Sequence, residues 1–263
     1  MANTQKQEAP HKAENALVEN TKPEYQFPTE EVTLPSKGLL YPEGSPLRKG
    51  VIEMKYMTAK EEDILTNSAY INDGSVIDRV LKALVITKFN WSDLLIGDKN
   101  AIMIAARVLG YGKDYTFSHK GGKETVDLTL LKDKELNSDL YTEGVNQFSF
   151  TLPHSGNVVE YKLLTHGDET KIQNELKGLK KINKDNAPEA TTRLKHMIIS
   201  VEGDSERKTV REFVDTYLLA RDARALRENI LATQPDVDLT FFPENGDDGF
   251  SIPIGINFFW PDA

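Results

Sequence analysis

The residues whose spacing comes closest to a chemical site in this chain are arranged as two knuckles. Tyr115-Thr116-Phe117-Ser118-His119-Lys120-Gly121-Gly122, running on to Val126 and Leu128, aligns without a gap on Leu239-Thr240-Phe241-Phe242-Pro243-Glu244-Asn245-Gly246, running on to Phe250 and Ile252. Each copy reads as strand, Gly-containing turn, strand, which is the outline of a Cys-Pro-x-Cys-Gly zinc-ribbon arm. A structural zinc site takes four ligands, typically cysteine and histidine. Here the ligand positions hold Ser118 and Gly121 in one copy and Phe242 and Asn245 in the other, and the chain has no cysteine. His119 alone cannot complete a ligand set, so no metal and no other cofactor is expected. The repeat is either chance or a metal-free relic whose hairpins persist by packing.

Other candidate groups lead to the same reading. His11, His119, His154, His166 and His196 show no H-E-x-x-H spacing and share no helical face, and they read as surface or hairpin-loop histidines. Gly110-Tyr111-Gly112-Lys113 leaves a helix and enters a strand, whereas a phosphate loop runs from strand to helix, so it reads as a helix C-cap. Asp236, Asp238, Glu244, Asp247 and Asp248 lack the ligand order of a calcium loop. Lys177, Lys180, Lys181 and Lys184 read as a solvated helix face. Ser75 follows Gly74 at a helix start, which is not a nucleophile elbow. With no acid, base and nucleophile in one pattern, no catalytic residue is assigned. A binding or structural protein is expected rather than an enzyme.

Residues 1–27 are Gln, Lys, Glu, Asn and Ala with only Leu17 and Val18 as branched aliphatics, too little apolar surface to offset ordering entropy, and are expected to be a disordered tail. Residues 28–56 read as an extended arm, turned by Pro35, Gly38 and Pro42, and a strand that alternates from Val51 to Tyr56. Residues 57–164 read as an N-terminal helical core with two hairpins. Thr58-Ala59-Lys60-Glu61 has capping-box spacing before a short helix to about Thr66. Asn72-Asp73-Gly74-Ser75 breaks the pattern, and Val76, Ile77, Val80, Leu81, Leu84 and Val85 then share one helical face. Asp98 is placed to cap a helix from Lys99 to Leu109 that is apolar nearly all round. Phe148–Leu152 and Val158–Leu163 alternate about a five-residue loop, a second hairpin.

Residues 165–263 read as a C-terminal helical region with a closing knuckle hairpin. Ile172, Leu176, Leu179 and Ile182 form a narrow seam from Asp168 to Asn183, and Pro188 precedes a helix to about Ser200. Thr209-Val210-Arg211-Glu212 repeats the capping-box spacing, and a further helix runs from about Ala223 to Leu231. The fold class expected is α+β, a mainly helical body with two or three small antiparallel β-hairpins. The end carries Phe258, Phe259 and Trp260, a cluster expected to dock on its own chain or on a partner and therefore the candidate partner-binding site.

In a chain of 263 residues, 39 % hydrophobic content is enough for a core. No apolar run approaches the ~18 residues of a membrane span, and the N-terminus lacks a basic then apolar signal peptide, so a soluble protein made in the cytoplasm is expected. Lack of cysteine fits a reducing compartment. A formal charge of −9 argues against a duplex-binding surface and hence against nucleic acid as a partner.

Leu34-Pro35-Ser36-Lys37-Gly38, Met57-Thr58-Ala59-Lys60-Glu61-Glu62-Asp63-Ile64-Leu65, Gly97-Asp98-Lys99-Asn100-Ala101 and Arg107-Val108-Leu109-Gly110-Tyr111-Gly112 together resemble the baseplate hub proteins of T-even-like contractile-tailed bacteriophages. Leu219-Ala220-Arg221-Asp222-Ala223-Arg224-Ala225-Leu226-Arg227, Gln234-Pro235-Asp236-Val237-Asp238 and Phe258-Phe259-Trp260-Pro261-Asp262 resemble that family's closing signature. The specificity lies in the order of these runs, which span about residues 30–263. Many family members carry Cys-x-x-Cys at one or both knuckles, and this chain departs at every such position. The resemblance implies a structural or assembly protein of the tail baseplate hub, working through contacts with other tail and baseplate proteins, the tape-measure protein among them, and within a symmetric oligomer. It implies the host cytoplasm during assembly and the virion tail if the protein is retained. A tail assembly chaperone absent from the virion is the alternative, and a degenerate metal-dependent enzyme is a second one.

Overall fold

The computed structural model describes residues 28–182, 188–243 and 248–259. The tail expected at 1–27 lies outside the described residues. The fold is α+β, with eight α-helices and four small antiparallel sheets among the described residues.

Residues 28–56 do not form an extended arm. β1 (Thr29–Thr33) pairs with β2 (Val51–Lys55), from Thr29 opposite Lys55 to Thr33 opposite Val51, and the amide of Leu34 donates to the Gly50 carbonyl at 2.8 Å to close the loop between them. Inside that loop the backbone crosses itself. Gly38 has φ +78°, and a Cβ there would stand 2.2 Å from the carbonyl oxygen of Arg48, so only glycine permits the crossing. Leu34, Leu40, Tyr41 and Leu47 are buried as a result. Prolines and glycine correctly denied a helix, but the pairing of the ends depends on β2 and had no local signature.

Helix α1 (Ala59–Leu65) starts at the expected box. The Glu61 carboxylate accepts from the Thr58 amide at 3.0 Å and from the Thr58 hydroxyl at 2.5 Å, and it is also paired with Lys55 at 2.8 Å. A helix missed in the sequence, α2 (Ser68–Asp73), follows, capped by the Asn67 side chain, and it ends at Gly74. Next come α3 (Val76–Leu84) and α4 (Ile96–Tyr111). The expected apolar face of α3 is buried at Val76, Val80, Leu81 and Leu84, and α4 buries Ala101, Ile102, Ile104 and Ala106. Gly112 ends α4 as expected. Its carbonyl and that of Asp114 accept from the buried Arg107 guanidinium at 3.0 and 3.1 Å, a cation satisfying carbonyls beyond a helix C-terminus.

The first knuckle hairpin is β3 (Asp114–His119) with β4 (Gly122–Asp127), joined by the two residues Lys120 and Gly121. The second hairpin, β5 (Phe148–Thr151) with β6 (Val158–Tyr161), gains a third strand. Helix α5 (His166–Ile182) and helix α6 (Glu189–Met197) follow, and β7 (Ile198–Val201) leaves α6 directly to pair with β6. The sequence reading carried α6 on to Ser200. An apolar run such as Met197-Ile198-Ile199 cannot by itself distinguish buried helix from buried strand, and β6 decides it. In the α5 seam Ile172 and Leu176 are buried and Leu179 is half-buried, while the side chain of Ile182 lies outside the description.

The second capping box is not formed. Helix α7 (Arg207–Glu212) begins two residues before Thr209, which therefore sits inside the first turn and donates to the Asp204 carboxylate at 3.0 Å. The chain continues through a wide turn, in which Leu218 donates to the Phe213 carbonyl at 2.9 Å, into α8 (Ala220–Thr233). β8 (Thr240–Phe241) and β9 (Phe250–Ser251) form the closing hairpin. One continuous core draws on residues from Leu34 to Phe259, and the β6–β7 pairing crosses the division expected at 164/165.

Candidate functional site

Three of the seven runs carrying the family resemblance meet at the start of α4. Asp98 does not cap that helix. Leu95 occupies the cap position, and the Asp98 side chain is fully buried in the opposite direction. It accepts from the Ser36 amide at 2.9 Å, the Ser36 hydroxyl at 2.7 Å and the Tyr41 hydroxyl at 2.6 Å, and the Tyr41 oxygen in turn accepts from the Leu95 amide at 3.0 Å. Burial raises the Asp98 pKa to about 6, although the bonds from Tyr41 and Ser36 favour its charged form. The same burial, with Asp98 beside it, pushes the Tyr41 phenol upward. On the other side of the helix start, Asn100 and Gln234 each donate to Asp236 at 3.0 Å. Gly97 lies so close to the chain that a Cβ would stand 1.8 Å from the Pro235 carbonyl oxygen. Asp98 and Asp236 are thus committed to joining the segments around residues 36, 97 and 235.

The knuckle hairpins meet through rings. Strand alternation places Tyr115, Phe117 and His119 on one face and Ser118 on the other. Phe117 lies 5.9 Å from Phe241 and 5.8 Å from Phe250 between centroids, and His119 stacks on Phe250 at 3.5 Å. Ser118, Gly121 and Phe242, at the positions of zinc-ribbon ligands, are exposed, and Asn245 lies outside the described residues. Among the described residues no group of three or more His, Asp or Glu side chains is placed to hold a metal ion. Asp236 has the partners given above, Asp238 receives the Thr240 amide at 3.0 Å, and Glu244 and Asp247 lie outside the described residues.

The aromatic end needs correction as a docking site. Phe258 and Phe259 have no exposed surface. Phe258 packs edge-on against Tyr115 at 4.8 Å and against Phe259 at 5.5 Å, so these rings belong to the chain's own core and offer nothing to a partner. Trp260 lies outside the described residues.

Not all the histidines are superficial. His154 is exposed and its amide donates to Asp222, but His196 is packed with its Nε2 3.0 Å from Glu175. His166 is buried at the floor of a polar cleft of about 560 Å³ between α2, α3, α4 and α5. Its Nδ1 is 3.3 Å from Lys99 Nζ and its Nε2 is 3.4 Å from Asp78 Oδ2, while Lys99 and Asp78 pair at 2.6 Å. Burial and then Lys99 lower the His166 pKa. Both ring nitrogens face neighbours within the chain, which suits a structural tie better than proton transfer to a substrate. Asp78, Lys99 and His166 come from three helices, and no local pattern unites them.

A second concavity, of about 580 Å³, is apolar. Its walls are α6, through Ala190, Leu194 and Met197, and α8, through Arg227, Ile230 and Leu231, with Gln234 just past the end of α8. Ile96 and Leu164 form its floor. Leu231 is 60 % exposed along this groove. The sequence reading assigned it no role, because each wall alone looks like an ordinary amphipathic helix.

Compared with known proteins, the chain matches no family model, no curated protein and no solved structure. Among the described residues no helix is long and apolar enough to cross a membrane.

Proposed function

We propose that this chain is a structural or assembly protein of a phage tail baseplate hub, acting through protein–protein contacts. The observation that carries the reading is the convergence at the start of α4. The runs at 34–38, 97–101 and 234–238, selected for their family resemblance, join through Ser36, Asp98, Asn100 and Asp236. Motifs that interlock as one scaffold support a shared fold better than scattered matches do. Their polar groups are spent on that scaffold, which fits a protein that works by presenting surfaces. The partners are other tail and baseplate proteins, with the tape-measure protein among the candidates, and the assembled form is a symmetric oligomer.

The chaperone reading remains the rival within the same class, since an exposed apolar groove suits a permanent interface and a transient one equally. Quantitative mass spectrometry of purified virions and of infected lysate separates them. A fixed copy number in virions marks a component. Presence only with tail intermediates in lysate marks a chaperone. Absence from both would refute the proposal.

A further inference from the structure

We propose that Asp78, Lys99 and His166 form a proton-sensitive clasp joining α3, α4 and α5, closed while the imidazole is neutral and released when it takes up a proton in mild acid. The geometry is a ring of three groups on the floor of the polar cleft. Lys99 Nζ lies 2.6 Å from Asp78 Oδ1 and 3.3 Å from His166 Nδ1, and His166 Nε2 lies 3.4 Å from Asp78 Oδ2. An ammonium has only hydrogens to give, so Nδ1 must accept and the single proton of the neutral ring sits on Nε2, facing Asp78. A second proton can go only to Nδ1, where it points at the ammonium. The bond from Lys99 is then replaced by repulsion between two largely buried cations.

The surroundings do not offset that repulsion. On α3 the ring is faced by Asp78 and Lys82, on α4 by Lys99 and on α5 by Glu169, with Asp73 and Lys177 lining the same cleft. Asp78 is claimed by Lys99, and Glu169 is held by Arg193 of α6 at 2.8 Å. The turn at 91–93 presents the uncharged Trp91 ring edge-on. Burial and then Lys99 keep the His166 pKa below the ordinary 6.5, so the stability the clasp contributes is complete above 6.5 and is lost as pH falls through the lower, folded value. The fold also decides what gives way. Ile172 and Leu176 of α5 pack with Leu164 in an apolar cluster apart from the main core, so polar ties carry much of this helix's attachment. Its ties to α6 and α7, from Glu169 to Arg193 and from Glu175 to Arg211, do not involve the ring. Release therefore parts α5 from α3 and α4 and opens the cleft, with the bond from the His166 amide to the Leu94 carbonyl, 2.7 Å long, as the pivot.

The test follows the full chain between about pH 7.5 and about pH 5 by histidine-ring NMR and by amide hydrogen exchange. Exchange is corrected for the intrinsic effect of pH and referred to α8, so that global changes, those from Asp98 included, cancel. His166→Gln keeps an acceptor for Lys99 and a donor for Asp78 without titrating, and it assigns the His166 resonance by its loss. Lys99→Met keeps the aliphatic stem and removes the charge. In the parent, exchange along residues 170–174 of α5 should rise about tenfold in acid, in step with the His166 titration. In both variants it should be independent of pH, and in Lys99→Met the His166 midpoint should move upward. No rise in the parent would overturn the proposal, as would a rise that persists in Lys99→Met or a His166 midpoint that the substitution leaves unmoved or lowers. Should His166→Gln fail to fold, Lys99→Met decides alone. The clasp does not rest on the assembly role, so these results and the virion measurement fail separately.

Discussion

Gly97 and Gly178 both lie inside helices, and the structure predicts opposite signs for the same substitution to alanine. In an exposed helix interior, Ala is favoured over Gly by about 1 kcal/mol. At Gly178 in α5 an added Cβ meets nothing within 4 Å, so Gly178→Ala should stabilise the fold by roughly 0.5 to 1 kcal/mol. At Gly97 the Cβ would stand 1.8 Å from the Pro235 carbonyl oxygen and 2.8 Å from its carbon, whereas ordinary contact begins at 3.4 Å. The obstacle is backbone and cannot swing away. Either α4 or the 235 segment must retreat, and that segment is anchored by the Asn100–Asp236 bond at 3.0 Å and by the Asp236 carbonyl accepting from Lys134 at 2.9 Å. Overpacking costs about 1 to 3 kcal/mol, and weakening one of those bonds adds about 1 kcal/mol. After subtracting the propensity gain, Gly97→Ala should destabilise by roughly 1 to 3 kcal/mol. Urea denaturation of the two variants beside the parent measures both signs. A Gly97→Ala protein as stable as the parent would refute the close approach, and with it the claim that the start of α4 is a junction of three segments.

Asp98 should give the protein an unusual response to mild acid. Its folded pKa of about 6 stands above the ordinary 3.8, so its contribution is greatest below about pH 4 and is lost as pH rises through 6. The stability of the parent relative to Asp98→Asn should therefore fall by up to about 3 kcal/mol between pH 4 and pH 7, and a pH-independent difference would contradict the burial argument. Glu61 acts in the opposite sense at lower pH. Its pKa is lowered to about 2 from 4.5 because the bonds from Lys55 and Thr58 outweigh the largest cause, burial, so its contribution disappears as pH falls through 2. Thr58→Ala should cost about 1 kcal/mol, while Thr209→Ala, which removes no cap, should cost clearly less by chemical denaturation; equal losses would mean the two helix starts are alike after all. Phe258→Ala should cost roughly 3 to 5 kcal/mol, and a variant that melts normally would restore the aromatic end as a docking surface.

Features governed by neighbours in sequence are legible in the sequence itself. The Thr58 box, the break at Gly74, the face of α3 and both strands of the 148–161 hairpin depend on residues a few positions apart. The errors arose where a distant group competed. Asp98 has the right type and place for a cap, but Ser36, 62 positions earlier, takes its carboxylate. Thr209 and Glu212 match a box by spacing alone, yet Asp204 lies upstream and the helix starts early enough to enclose Thr209. The aromatic end has no cover within its own stretch of sequence, and Tyr115, far away in the chain, packs against Phe258. The groove was least legible of all, because its walls and floor come from segments that become neighbours only after folding.

The junction of α6 and β7 has a consequence for how this protein can change over generations. Met197 ends the helix and Ile198 begins the strand, with no residue between them to absorb slack. A single amino acid inserted there would turn each side chain of β7 to the opposite face of the sheet, taking Ile198 and Ser200 out of the packing they now occupy and putting Ile199 in their place. The same insertion in the exposed turn between β5 and β6 would leave both strands in register, at the cost of the bonds that the His154 and Ser155 amides donate to Asp222. Length variation among descendants of this sequence should therefore gather at the hairpin tip and avoid the helix–strand joint, leaving the groove wall and the sheet locked in a fixed phase.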